Sequence, residues 1–272
     1  MTFTGVIGAN EGKECVAKGN SVANDIVTFA RARLGFDPDE VQAQVLRSEA
    51  KQGILNCSRQ WGKSTTAAVK AVYRAYTQPD CLVLVASPSE RQSGEFVKKA
   101  KKMVRKLDIR VRGDGDNPIS IQFPNGARIV GVPGREDTVR GFSAVSLLLI
   151  DEAARVEEDM YRALTPMLTV GDGDLWLMST PCGKRGFFYE AWEYGGEDWE
   201  RVRARGTECP RISAKVLDRE RKRLGPYSFR QEYETEFMEN EMGLFDRDVI
   251  EEALDGTVKP LPVVFDFLRL RE

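Results

Sequence analysis

The sequence predicts an α/β fold, with a central and mostly parallel β-sheet flanked by helices and a small helical lid toward the C-terminal end. Three observations carry that prediction. Short apolar runs recur at 54–57 (ILNC), 81–86 (CLVLVA), 145–150 (VSLLLI) and 174–178 (DLWLM). Each is continuously apolar where a half-buried strand would alternate, as expected of strands covered on both faces. Helical patterns separate the runs, and alternation of strand with helix is what a parallel sheet with crossover helices requires.

The elements follow in order. The first thirty-odd residues carry little pattern until ANDIVTFARARLGF, a short amphipathic helix ending at Gly35; residues 1–34 are read as an N-terminal helical segment. The strand at 54–57 runs into SRQWGKS and a helix from about 62 to 76. After 81–86 the segment SPSE stops the strand, and Ser87 or Ser89 can cap the helix that follows. SIQFPNGARIVGV reads as a hairpin around an Asn-Gly turn. The third strand ends in paired carboxylates (LLLIDEAA) and the fourth in small hydroxylated residues (LWLMSTP). Together these make an α/β core at 35–207. Beyond Glu208 the pattern turns helical and charged, through RISAKVLDRERKRLG, PYSFRQEYETEFMEN and DRDVIEEAL. That stretch is read as a helical lid at 208–258, with 259–272 a linker or the start of another domain.

Composition narrows the chemistry. With 42% hydrophobic and 30% charged residues the 272-residue chain should bury a sizeable core. Lysine plus arginine number 40 against 42 aspartates and glutamates, a net charge of −2, which argues against a histone-like DNA binder but leaves room for local basic patches. The sequence has no histidine, so His-based triads, zinc sites and proton shuttles are excluded. The five cysteines, Cys15, Cys57, Cys81, Cys182 and Cys209, form no CxxC pair and suggest a reducing compartment. The opening MTFTGVIGANEGKE has neither the basic nor the apolar region of a signal peptide, and LLLI at 147–150 is far too short to span a membrane. A soluble, intracellular protein is expected.

The strongest local signal is CSRQWGKST, 57–65. A phosphate-binding loop presents backbone N–H groups at the start of a helix, a lysine for the β/γ-phosphates and a hydroxyl for Mg²⁺. Gly62, Lys63 and Ser64 supply that ending, and Ser58, Arg59, Gln60, Trp61 and Thr65 complete the expected ATP contacts. Cys57 occupies the place of the usual first glycine. LLLIDE then delivers Asp151 and Glu152 to a strand's C-terminal edge, where open α/β sheets carry their chemistry. Asp151 can hold Mg²⁺, and Glu152 can act as general base on water. A pair of carboxylates decorating a helix start is the plainer reading, but the upstream phosphate loop favours the catalytic one. Gln42, in FDPDEVQ, offers a donor and an acceptor that match the N6/N7 edge of adenine; Gln44 is its competitor.

These pieces, FDPDEVQ, SRQWGKS with its arginine, LLLIDEAA and MSTPCGKRGFF, occur in the order found in large terminases, the DNA-packaging motor proteins of tailed bacteriophages. The chain resembles their ATPase domain over about 35–189, and RQEYETEF resembles the segment that follows. The resemblance implies a P-loop NTPase of ASCE/RecA-like fold, using ATP and Mg²⁺ to pump double-stranded DNA without sequence preference. It also implies a homo-oligomeric ring (a pentamer) on the portal protein of a procapsid, a small-terminase partner, action in the host cytoplasm, and a monomer in isolation. A C-terminal nuclease of RNase H-like fold is implied too, but the sequence after Glu236 is too short for one; VVFDF with Asp266 is read as linker or cut edge. An ATPase-only piece, or a nuclease encoded elsewhere, is expected.

The resemblance makes Ser179, Thr180 and Pro181 the coupling motif, which passes loss of the γ-phosphate to the lid; a plain strand exit is the simpler reading. Ring ATPases take an arginine from a neighbour to stabilise charge on the γ-phosphoryl group. Arg140 in TVRGFSA is the choice, with Arg59 an in-cis alternative and Arg135 also open. Lys98, Lys101, Lys102 and Arg105 fall on one helical face by their spacing, which suits phosphate tracking as well as a merely solvated surface. Arg128 on the hairpin is a further DNA candidate. A helicase would share the same motifs but needs a second α/β domain, for which the mostly helical sequence after Pro181 leaves no room. A scaffold that binds ATP without hydrolysing it is disfavoured by Glu152.

Overall fold

The computed structural model describes residues 25–132, 139 and 141–239. Seven strands form one sheet: β1 (Gln52–Cys57), β2 (Leu82–Ala86), β3 (Ser120–Gln122), β4 (Arg128–Val132), β5 (Val145–Asp151), β6 (Asp174–Ser179) and β7 (Trp199–Ala204). Their order is β3-β4-β2-β5-β6-β1-β7. Every neighbouring pair is parallel except β3–β4, where Ile121 faces Ile129 in an antiparallel hairpin. The helices are α1 (Ile26–Leu34), α2 (Glu40–Arg47), α3 (Lys63–Thr77), α4 (Glu90–Val104), α5 (Glu158–Leu164), α6 (Gly186–Tyr194) and α7 (Ala214–Tyr233).

The continuous apolar strands are explained by two separate cores. Leu55, Val83, Val85, Leu147, Leu149, Trp176 and Met178 pack on one face beneath α1, α3 and α4, with Phe29, Val72 and Phe96. Their alternating neighbours Ile54, Leu84, Leu148, Ile150, Leu175 and Leu177 pack on the other with Met160, Leu164 and Phe187. Each strand thus feeds both layers, which is why period-2 polarity is absent. Gly53 in β1 has a steric reason: a Cβ there would overlap the Trp176 ring.

Caps set the helix boundaries. Asp39 and Gln42 make a reciprocal capping box on α2. Ser89, and not Ser87, caps α4 by accepting from the Gln92 N–H. Lys70 of α3 donates to the carbonyls of Val45 (3.1 Å) and Ser48 (2.9 Å), fastening the end of α2 to the core. The hairpin turn uses Asn125-Gly126 as expected, with Gly126 at φ 84°.

Elements absent from the sequence reading include α5, α6 and β7. β7 (WERVRA) is the edge strand beside β1, with only Val202 and Ala204 buried; its arginines bond neighbouring carbonyls, Arg201 those of Trp192 and Ala191 and Arg203 that of Thr235, so it carries no apolar run. α6 (GFFYEAWEY) is a short aromatic helix that buries Phe187 and Phe188. The charged region after Glu208 contains α7, which Gly225 and Pro226 kink, as a proline without an N–H must. The described residues up to Met238 form one compact unit. DRDVIEEAL and VVFDF lie outside the described residues.

Candidate nucleotide site

β1 ends at Cys57 and the loop Ser58–Gly62 carries the chain into α3. Two left-handed residues shape it, Gln60 (φ 61°) and Gly62 (φ 105°); only glycine reaches the latter without strain. The Lys63 and Ser64 N–H groups that open α3 precede its first intrahelical bonds, which Thr65 and Thr66 make to the Gly62 carbonyl. Cys57, in the place of the usual first glycine, packs its thiol 3.9 Å from the Ser179 carbonyl, and burial pushes that thiol up to about 12.

β5 brings Asp151 and Glu152 against this helix start. Ser64 Oγ donates to Asp151 Oδ2 at 2.8 Å, and Lys63 Nζ lies 2.6 Å from Glu152 Oε1. Burial raises the Asp151 carboxyl above its ordinary value, against the pull of Lys63 and the Ser64 hydrogen bond. Burial opposes the charge on Lys63, yet its anionic neighbours, Glu152 and Asp151 among them, carry the ammonium above its usual value. Glu152 has φ 56° and ψ 39°, a left-handed backbone that costs a residue with a side chain roughly 1–2 kcal/mol.

A cavity of about 570 Å³ opens beside this pair, lined by Ser64, Ser89, Gln92, Lys99, Asp151 and Glu152. Lys99 is thereby separated from the other lysines of α4. Burial lowers its ammonium, with Asp151 opposing. A smaller cavity of about 230 Å³ lies behind the loop, among Asp39, Val41, Trp61, Ala204, Glu208 and Pro210.

Gln42 is buried at the phosphate loop, while Gln44 is exposed. Its Nε2 donates to the Trp61 carbonyl (3.1 Å) and its Oε1 accepts from the Asp39 N–H (3.2 Å). Arg211 reinforces the same point, bonding the Trp61 carbonyl at 2.5 Å and Asp39 at 2.8 Å. The amide that the sequence suggests for adenine therefore braces the loop from behind. Trp61 is itself buried in the core, and Thr65 lies in the first turn of α3, its N–H donating to the Gly62 carbonyl.

Arg59 turns away from the carboxylates toward α7. Its Nε and Nη2 meet Glu232 at 2.5 and 3.1 Å, and its backbone N–H donates to the Glu232 carbonyl at 3.1 Å. The segment after α7 is anchored as well: Asn56 Nδ2 and Arg203 Nη2 both donate to the Thr235 carbonyl, at 3.0 and 2.9 Å. At the end of β6, Ser179 Oγ donates to the Thr180 carbonyl (2.8 Å), and Ser179, Thr180 and Pro181 are all buried. Arg155, which the sequence reading passed over, reaches both Glu152 and that same carbonyl. Its position three residues after Glu152 is the one signal that pointed to it.

The remaining candidates lie apart. Lys98, Lys102 and Arg105 are exposed on α4 and its extension, and Lys101 is half-buried; Lys98 pairs loosely with Glu95 at 3.4 Å. Arg128 sits 3.6 Å from the buried Asp114 carboxylate, so the hairpin anchors it. Arg135 and Arg140 lie outside the described residues.

Comparison with known proteins agrees with this architecture. The family model for "Terminase large subunit, T4likevirus-type, N-terminal" matches residues 54–252. The large terminase subunit of Thermus virus P23-45 is 27% identical over 253 residues, covering 78% of this chain and 51% of that protein. The chain thus spans about half the length of that relative. Among solved structures, the ATPase domain of the Thermus phage P74-26 large terminase superposes with a TM-score of 0.68 at 24% identity, over 77% of this chain and 97% of that one. The large terminase of a thermophilic bacteriophage, solved in complex with ATP-γ-S, gives 0.63 at 16% identity, over 73% and 52%.

Proposed function

The chain belongs to the family of N-terminal domains of T4likevirus-type terminase large subunits, and from that membership we propose that it hydrolyses ATP to drive double-stranded DNA into a viral procapsid. One observation carries the reading: Lys63 and Ser64 at the start of α3 meet Glu152 and Asp151 at the end of β5, at 2.6 and 2.8 Å. The first-turn N–H groups and Lys63 hold the β- and γ-phosphates, with Ser58 to Thr65 forming the cradle and the cavity beside Trp61 receiving the base. Glu152 orients the attacking water and takes its proton.

The donor set suits Mg²⁺. A serine hydroxyl and one carboxylate are the few protein oxygens such an ion takes beside nucleotide phosphates, and the described residues contain no cluster of three or more acidic or Cys/His ligands. When bound, the ion neutralises phosphate charge; Ser64 and Asp151 would hold it.

Ser179, Thr180 and Pro181 act as the coupling segment and α7 as the lid to which they report. Arg140 serves as the arginine given to a neighbour in a homo-oligomeric ring, a pentamer on the portal, with the isolated chain a monomer. The face of exposed Lys98, Lys102 and Arg105 with half-buried Lys101 tracks DNA phosphates. Portal protein and small terminase are its partners in the host cytoplasm. Steady-state phosphate release from the purified chain with ATP and Mg²⁺ tests the centre of this reading. Parent protein should turn over slowly and Lys63→Ala not at all; equal turnover in the two would refute the phosphate-loop assignment.

A further inference from the structure

We propose that Arg155 is a positioning residue for Glu152, holding that carboxylate in place and tying it to α7 through Glu232. The inference rests on the hydrolytic reading above and adds a residue to it. Arg155 closes the single turn after Glu152, its backbone N–H donating to the Glu152 carbonyl at 2.9 Å. Its Nη1 lies 3.2 Å from Glu152 Oε2 and 3.4 Å from the Thr180 carbonyl, and its Nη2 lies 3.6 Å from Glu232 Oε1. Three acceptors from three elements (the end of β5, the exit of β6 and α7) thus converge on one guanidinium, whose donors are fixed in a plane.

A decorative surface pair would contribute little, but this is not that situation. The Arg155 side chain is 31% exposed, and its carboxylate partners Glu152 and Glu232 are 24% and 12% exposed. The Thr180 carbonyl belongs to a buried residue.

The partition of Glu152 gives the arginine its task. Lys63 holds one carboxylate oxygen and Arg155 the other. A lysine that turns to a phosphate releases its oxygen, and Arg155 then keeps the carboxylate from swinging on a backbone already in a left-handed conformation. Glu232 joins this to the phosphate loop, since it also takes the Arg59 guanidinium and the Arg59 N–H. A shift of α7 therefore reaches Glu152 through Arg155 and the loop through Arg59. Only the first of these connections bears on the water-activating group.

The test uses the whole chain in single-turnover ATP hydrolysis, with binding of a fluorescent ATP analogue measured separately. Arg155→Gln should slow hydrolysis roughly 10- to 100-fold, the loss expected from a misplaced reacting group, with nucleotide affinity unchanged. Arg155→Lys should fall between parent and Arg155→Gln, because an ammonium can hold Glu152 but not all three acceptors. Glu232→Gln should slow hydrolysis in the parent and add little in Arg155→Gln, as residues acting as a unit do. A parent-like rate in Arg155→Gln would overturn the inference, as would independent, multiplying losses in the double variant. A parallel fall in nucleotide affinity would place Arg155 on the nucleotide and overturn the positioning role. Should Arg155→Gln not fold, Arg155→Lys decides: a slowed rate at intact affinity supports the role, and a parent rate refutes it. A parent chain that binds ATP without hydrolysing it refutes the hydrolytic reading itself, an outcome distinct from equal rates in parent and variant.

Discussion

Replacing Glu152 by glutamine should have two opposite effects, and their combination is diagnostic. Hydrolysis should fall by about 10²–10⁴, the contribution of a positioned general base, because an amide keeps the shape of the side chain but accepts no proton. ATP binding should become tighter. Lys63 stands 2.6 Å from Glu152, with the two side chains only 13% and 24% exposed, so the lysine must leave a charged partner before it can hold a phosphate. A hydrogen bond to a charged group contributes about 1.5–3 kcal/mol and a neutral one about 1. Substituting amide for carboxylate thus lowers the cost of release by about 1 kcal/mol, roughly fivefold in affinity. Titration of a fluorescent ATP analogue with Mg²⁺ into parent and Glu152→Gln protein measures this directly. Unchanged or weaker binding in the variant would show that Lys63 does not exchange the carboxylate for phosphate.

Three further outcomes are expected. Burial raises Asp151, so the folded chain binds more protons than the unfolded one just above the ordinary carboxylate pKa, and stability declines as pH rises through that interval. Mg²⁺ relieves the buried charge, so in the presence of ADP its stabilising shift in melting temperature should shrink as pH falls from neutrality toward the ordinary carboxylate range; equal shifts at both ends would argue that Asp151 does not hold the ion. Gly53→Ala should destabilise by about 1–3 kcal/mol through overpacking against Trp176, readable by urea denaturation, and an unaltered midpoint would contradict the packing described. Arg140→Ala and Glu152→Gln proteins, each inactive in assembled rings, should recover part of the activity when mixed, since some interfaces then pair an intact Arg140 with an intact Glu152; rings shown to be mixed yet inactive would assign the arginine to the same subunit.

How much of this was legible in the sequence follows from what each element depends on. The four buried strands announced themselves because coverage on both faces demands continuous apolar runs, as in Leu147–Ile150. Gly62, Lys63 and Ser64 were legible because the phosphate loop is a local object, one strand end and one helix start. β7 was not: this edge strand carries arginines that bond neighbouring carbonyls, and Trp199–Ala204 shows only Val202 and Ala204 buried. The contact of Gln42 with Trp61, 19 residues on, was not legible, because it depends on how α2 packs. Arg59 to Glu232 spans 173 residues, a distance over which neither periodicity nor spacing carries information.

Strand order supplies the link between these parts. β6 lies between β1 and β5, so Ser179 and Thr180 stand between the strand that leads into the phosphate loop and the strand that ends at Glu152. Cys57 touches the Ser179 carbonyl from one side, and Arg155 touches the Thr180 carbonyl from the other. The neutral, buried Cys57 suits its place there, because a thiol held as SH adds no charge between Lys63 and the carbonyl it packs against. Ser179 and Thr180 thus stand between the strand end that leads into the phosphate loop and the strand end that carries Asp151.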